Sequence, residues 1–333
     1  MQKTTQPNQT FSGTQPTGSI VVGVVGLGLM GSSIVVSLLL AGHEVKAIAP
    51  IPADQLTAHD RIKEHLAHCE QFDLLTEPLD DYFARLSISE DYQELKGCQF
   101  VLECVSEIPA IKKEVYQRIE AVISEDAVVA TNTSAIPIST LQRYLEYPAR
   151  FLGVHWAEPA FATRFLEITC GENTEIQYAE WTYALAHRWQ KEPTLLKKDI
   201  RGFITNRLMY AIYRETFALI ERGETTMEDA DKALRYDFGS WITLMGIFRR
   251  MDFMGLENQK EIFDRVLPTL SNQDEVPAIM QKMVDINARG IHNSKGLFPY
   301  TDEEAKKWEA AFTKFNRDIY RLAEQYPIDK IET

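Results

Sequence analysis

The stretch from Ser19 to Gly31, SIVVGVVGLGLMG, constrains this chain more than any other. A run of Val and Ile too β-branched to favour a helix leads into Gly26, Gly28 and Gly31. Ser32 to Ala41 then continues as an apolar segment of helical length, closed by Gly42 as a C-terminal cap. Buried strand, glycine turn and helix follow one another as G-x-G-x-x-G requires. Gly26 permits the tight turn, and Gly28 lets the backbone approach a pyrophosphate. Gly31 lets the helix pack on the strand, and the helix N-terminus directs unpaired N–H groups at the anion. Gly26, Leu27, Gly28, Leu29, Met30 and Gly31 are therefore the candidate phosphate site of a dinucleotide. The alternative is a strand-to-helix turn that binds nothing.

The 333 residues provide for two domains with substantial cores. A net charge of −13 argues against a nucleic-acid partner, which needs a concentrated basic face, but not against a small anion held by a few local cations. The four cysteines are scattered with no C-x-x-C pair, as expected of reduced, buried thiols in a cytoplasmic protein. No stretch reads as a secretory signal, and none approaches the roughly 20 apolar residues that span a bilayer, so no membrane partner is expected.

Residues 1–18, rich in Gln, Thr, Pro and Gly, are expected to form a disordered leader. Glu44 to Ala49 reads as a second strand. The dinucleotide fingerprint places an acid at its end for the ribose hydroxyls, but Ala49 and Pro50 stand there. The nearest acid is Asp54, and no Arg follows the strand directly to take a 2′-phosphate. The choice between NAD and NADP stays open. Residues 53–70 suit a helix whose His65 and His68 lie on a solvated face, with no further ligand to make a metal site. Phe72 to Leu86 is expected to be further helix and connection. Gln99 to Val105 is a strand holding Glu103 among apolar neighbours, where a carboxylate must be bonded; it either faces the cofactor or serves structure. Pro109 opens a helix to about Ile123, and Ala127 to Ala130 is a short strand leading into Thr131-Asn132-Thr133-Ser134. Strands at Phe151–His155 and Phe165–Thr169 complete an α/β pattern. It predicts a Rossmann-like, doubly wound, mostly parallel sheet over residues 19–200.

From residue 201 to 333 the periodicity is helical, which predicts a smaller all-helical domain. The helix from Phe203 to Glu221 is apolar on two faces and is expected to be buried on both, with Asn206 turned into a cleft. Thr226 with Asp229 resembles a capping box. The last helix is expected to direct Trp308, Phe312 and Phe315 to the core.

His155 ends one apolar strand, and Glu167, twelve residues on, interrupts another. A hydride-transfer enzyme needs a base for the alcohol proton. A histidine suits this, and a carboxylate can fix its tautomer and stabilise the imidazolium. A hydroxyl and an amide, such as Ser134 and Asn206, can hold the substrate oxygen.

These residues carry a family resemblance. Gly26 to Gly31, Gly42-His43, Thr131 to Ser134, Gly153-Val154-His155-Trp156 with Glu167, and Gly202-Phe203-Ile204-Thr205-Asn206-Arg207-Leu208 resemble, in order and spacing, the motifs of the L-3-hydroxyacyl-CoA dehydrogenases. Met245-Gly246-Ile247-Phe248 and Ser294-Lys295-Gly296-Leu297-Phe298 resemble two later ones. The resemblance implies His155 as general base, Glu167 as its orienting acid, and Ser134 and Asn206 on the substrate oxygen. It also implies Glu103 and Asn132 near the cofactor, NAD as that cofactor, an acyl-CoA substrate, and a helical domain that closes over the acyl chain and forms a homodimer. Ala157-Glu158-Pro159 departs from the family's usual Asn-Pro and borders the substrate, so a shifted specificity is expected. The asparagine motif also resembles relatives acting on free hydroxy acids, the gulonate and carnitine dehydrogenases. A nucleotide-binding protein without turnover is a third alternative, opposed by the intact set of four. Arg61, Lys63, Lys112 and Lys113 are read as solvated cations or, alternatively, as a CoA phosphate site.

Overall fold

The computed structural model describes residues 18–326, so all of the expected leader except Gly18 lies outside the described residues. Contacts divide the chain into two units, with the boundary after Ile204.

The first unit is built on one eight-stranded sheet. Its elements are β1 (Val21–Val25), α1 (Leu29–Leu40), β2 (Glu44–Ile48), α2 (Pro52–Gln71), α3 (Leu79–Ala84), β3 (Leu86–Ser89), β4 (Phe100–Glu103), α4 (Pro109–Glu120), β5 (Val128–Thr131), α5 (Ile138–Gln142), β6 (Phe151–Trp156), β7 (Phe165–Cys170), α6 (Ile176–Arg188) and β8 (Glu192–Leu196). The strand order is β3-β2-β1-β4-β5-β6-β7-β8. Strands β1 to β6 run parallel, β7 turns back antiparallel to β6, and β8 lies parallel to β7. This is the Rossmann-like, doubly wound architecture that the sequence predicts.

The central strands are apolar throughout because both their faces are covered. Val22, Val24, Phe100, Leu102, Val128 and Ala130 pack into one core, while Val25, Val101 and Val129 pack into a second on the other face. Helix α1 is buried along most of its length, which explains why it carries serines and no charge: the Ser32 hydroxyl donates to the Leu27 carbonyl at 2.8 Å, and that of Ser33 accepts the Ala160 N–H at 2.7 Å. Two edge strands were not legible in the sequence. β3 begins where further connection was expected, and β8 is half exposed. Edge strands have one paired side, so their apolar pattern is weak.

The second unit contains α7 (Thr205–Glu221), α8 (Met227–Ala233), α9 (Gly239–Met254), α10 (Leu256–Val266), α11 (Ala278–Asp285) and α12 (Asp302–Ala323). Thr226 caps α8 by accepting the Asp229 N–H at 3.1 Å, and Thr301 with Glu304 forms a full capping box for α12. Helix α9 is kinked at Gly246, where φ is +71°. Two expectations fail here. Helix α7 is not buried on two faces, since Leu208, Tyr210 and Tyr213 are exposed. Trp308, Phe312 and Phe315 of α12 are exposed as well. Among the described residues of this unit only Ala218 is buried.

Candidate active site

The order of the sheet reverses between β1 and β4, with β2 and β3 on one side and β5 to β8 on the other. In an open α/β sheet the crevice beyond the carboxyl ends of the strands at such a point receives the ligand. A cleft of about 200 Å³ lies there. Its walls are Met30 of α1, Cys104 and Val105 past β4, Glu107 and Lys112 around the start of α4, and Asn132 and Ser134 past β5.

The glycine turn is shaped for a dinucleotide. Gly26 has φ +96°, and a Cβ there would lie 2.9 Å from the Cys104 backbone. A Cβ on Gly31 would lie 1.9 Å from the Gly26 carbonyl oxygen, so helix and strand close only over glycine. A Cβ on Gly28 would meet nothing within 4 Å, so the open side of the turn faces free space. No side chain caps α1 and no acid stands in its first turn, which leaves the positive end of the helix to an anion. The Leu27 side chain is buried, which leaves only its backbone to the open side of the turn. These residues fit NAD.

Glu103 is placed differently from the expectation. It ends β4, but it is fully buried and turned inward. Lys112 Nζ donates to both carboxylate oxygens at 2.8 and 3.0 Å, the Val105 N–H donates at 2.7 Å, and the Tyr116 and Thr131 hydroxyls donate at 2.8 and 2.7 Å. A carboxylate with five such bonds has no lone pair left for a ligand. Lys112 is likewise neither a solvated cation nor a CoA phosphate site, because its side chain is 1% exposed and sandwiched between Glu103 and Glu107. The acid that lines the cleft is Glu107, four residues on, which sequence reasoning missed. Burial pushes its carboxyl up, but the Thr133 hydroxyl and Lys112 outweigh this and hold it below the usual carboxylate range. Only its spacing ahead of Lys112 at a helix start could have flagged it.

Asn132 reaches the cleft and also ties it to the next strand, its Oδ1 accepting the Trp156 N–H at 2.9 Å. Ser134 lies beside it, exposed to the cleft.

His155 and Glu167 meet. The antiparallel register of β6 and β7 pairs them directly, and His155 Nδ1 lies 3.5 Å from Glu167 Oε2. Glu167 is fully buried, and its Oε1 accepts the Ile204 N–H at 2.7 Å. The imidazole is 15% exposed and is flanked by the rings of Phe165 and Phe203. Asn206 stands in the first turn of α7, in the second unit.

His65 and His68 lie against separate rings, Phe161 and Phe72, and among the described residues no group of three His, Cys, Asp or Glu could hold a metal. No helix among the described residues is long and apolar enough to cross a membrane.

Doubly wound sheet, glycine turn and a cleft at the switch point define a Rossmann-like fold with a dinucleotide site. The NAD-binding domain of 3-hydroxyacyl-CoA dehydrogenase matches residues 21–200, and the C-terminal domain of that enzyme matches residues 202–300. The chain belongs to the 3-hydroxyacyl-CoA dehydrogenase family of NAD-dependent oxidoreductases. It is 32% identical over 292 residues to 5-formyl-3-hydroxy-2-methylpyridine 4-carboxylate 5-dehydrogenase of Mesorhizobium japonicum, covering 87% of this chain and 93% of that protein. It is 29% identical over 282 residues to 3-hydroxybutyryl-CoA dehydrogenase of Mycobacterium tuberculosis (84% and 98% covered), and 25% identical over 309 residues to L-carnitine dehydrogenase of Oceanobacillus iheyensis (92% and 98%). Among solved structures, a 5-formyl-3-hydroxy-2-methylpyridine 4-carboxylic acid 5-dehydrogenase described as an NAD+-dependent dismutase superposes with a TM-score of 0.84 at 29% identity, covering 92% of this chain and 99% of the other. FadB2 of M. tuberculosis gives 0.71 at 28%, with 85% and 100% covered.

Proposed function

We propose that this protein oxidises the carbinol carbon of a small, free polar substrate such as a hydroxy acid, and reduces the matching carbonyl in reverse, without requiring coenzyme A. The observation that carries the reaction is the His155–Glu167 pair. A carboxylate facing Nδ1 fixes the proton on that nitrogen, leaving the lone pair of Nε2 to take the hydroxyl proton. The Ile204 N–H holds the carboxylate from its other side, so the pair is preorganised before substrate arrives. NAD, when bound, accepts or returns the hydride. Ser134, exposed to the cleft, holds the reacting oxygen.

The preference for a free substrate rests on the cations. Of the four candidates for a CoA phosphate, Lys112 is consumed by two carboxylates and Arg61 lies at the glycine turn, on the side of the dinucleotide, which leaves Lys63 and Lys113 as the exposed candidates. The pyridine-carboxylate and carnitine enzymes among the relatives are named for substrates without CoA, and the pyridine-carboxylate enzyme has the higher identity and the higher TM-score. The acyl-CoA reading is supported by the 3-hydroxybutyryl-CoA dehydrogenases. A second copy of the chain suits the uncovered apolar faces of the helical unit, where Phe248 is 82% exposed, and makes the protein a homodimer. The four unpaired cysteines fit a cytoplasmic setting.

The test follows NADH oxidation with free 3-oxo acids, with aromatic aldehyde acids and with acetoacetyl-CoA, using His155→Ala as the control. Turnover with free acids, falling about 100-fold or more in His155→Ala, is expected. Turnover confined to acetoacetyl-CoA would overturn the substrate reading, and an active His155→Ala the assignment of the base.

A further inference from the structure

The phosphate end of the dinucleotide site follows its motif, but the adenosine end does not. Ala49 occupies the position of the ribose-binding acid, is wholly buried, and is covered by Gln55, whose Nε2 donates to its carbonyl at 3.1 Å. A carboxylate at the end of β2 does two things in this fold: it bonds the ribose hydroxyls and it repels a phosphate on them. Neither is possible at Ala49.

A cation reaches the glycine turn from α2, and that turn adjoins the end of β2, where the Gly26 N–H donates to the Ile48 carbonyl at 2.9 Å. Arg61 Nη1 donates to the carbonyl of Leu27 inside the glycine turn, and Nη2 donates to the Thr57 hydroxyl. Arg61 is 34 residues from Leu27 in sequence, so only the packing of α2 on α1 brings it there. Its side chain remains 27% exposed. We propose that Arg61, in place of a strand-end acid, lets the adenosine end of the site accept a ribose 2′-phosphate, so that NADP(H) binds as well as NAD(H). The inference rests on the glycine turn as a dinucleotide site and is independent of the substrate and of the His155 assignment.

The chemistry suits the role. A guanidinium carries five N–H donors in a planar fork, and only two are spent on Leu27 and Thr57. Such a fork bonds phosphate oxygens in pairs, and Arg keeps its charge at any working pH. Asp54 is the opposing charge, its Oδ1 3.7 Å from Nη1 with only 13% of its side chain exposed. It tempers the cation and repels phosphate, so removing its charge should favour the phosphorylated cofactor.

The experiment is a fluorescence titration of the full chain with NADH and with NADPH at one ionic strength, with no substrate present. Wild type is expected to bind the two within about tenfold of each other. Arg61→Ala should weaken NADPH about tenfold more than NADH, the loss of one charge-assisted phosphate contact. Asp54→Asn, which leaves Arg61 in place, should shift the ratio toward NADPH. NADPH binding more than about tenfold weaker than NADH in wild type would overturn the proposal. Equal weakening of both cofactors by Arg61→Ala would overturn it too, by reducing Arg61 to a brace for the turn. If neither dinucleotide binds, the glycine-turn reading falls with it.

Discussion

Lys112→Met tests how the floor of the cleft is held. The side chains of Lys112 and Glu103 are 1% and 0% exposed, and the ammonium bonds both oxygens of that carboxylate. Methionine has nearly the same length and packs in the same space, so the change removes charge and little volume. Glu107, whose side chain is 40% exposed, can be rehydrated when its cation is lost, but Glu103 cannot. Its remaining donors are the Val105 N–H and two hydroxyls. Stranding a buried carboxylate in this way costs about 3–5 kcal/mol. For a unit of this size that corresponds to a fall in melting temperature of roughly 6–20 °C. The assay is thermal and urea unfolding of the variant beside Glu103→Gln/Lys112→Met. In the double variant a neutral amide can still accept from Tyr116 and Thr131, so about 2 kcal/mol should return. A single variant within about 1 kcal/mol of wild type, or a double variant no better than the single, would refute the view that Lys112 neutralises Glu103.

Gly28→Ala and Gly31→Ala should separate binding from folding. An alanine Cβ at position 28 meets no protein atom, so the melting temperature should hold within about 2 °C while NADH affinity, read by fluorescence, falls at least about tenfold as the methyl blocks the pyrophosphate. At position 31 the methyl would collide with the Gly26 carbonyl, so stability should fall by about 3 kcal/mol in the same unfolding assay. His43 is buried between β1 and α6, and burial, with Arg188 nearby, lowers its pKa from 6.5 to about 4. The unfolded chain therefore takes up this proton first. The neutral ring's contribution is fully present above about pH 6.5 and is lost as the pH falls towards 4, up to about 3 kcal/mol. Urea unfolding from pH 7 to 4 should show this slope, and His43→Gln should lack it.

The sequence by itself determined what depends on neighbours along the chain. A β-branched run followed by glycines at fixed spacing can close only as strand, turn and helix, and the clash at Gly31 shows why no other residue serves. Caps such as Thr226 are equally local. The parallel core strands were legible because burial on both faces leaves an unbroken apolar signature. Tertiary structure decided which polar groups meet. Glu103 and Glu107 look alike in sequence, four residues apart near a strand end. Tyr116 and Thr131, 13 and 28 residues away, close over Glu103 and leave Glu107 to face the cleft. The reversal of β7 sets Glu167 opposite His155, and a one-residue slip of that register would send the carboxylate to the other face of the sheet. The return of Arg61 to Leu27 is of the same kind. A spacing of residues carries local geometry, but a charge finds its partner only when strands and helices that are remote in sequence pack together.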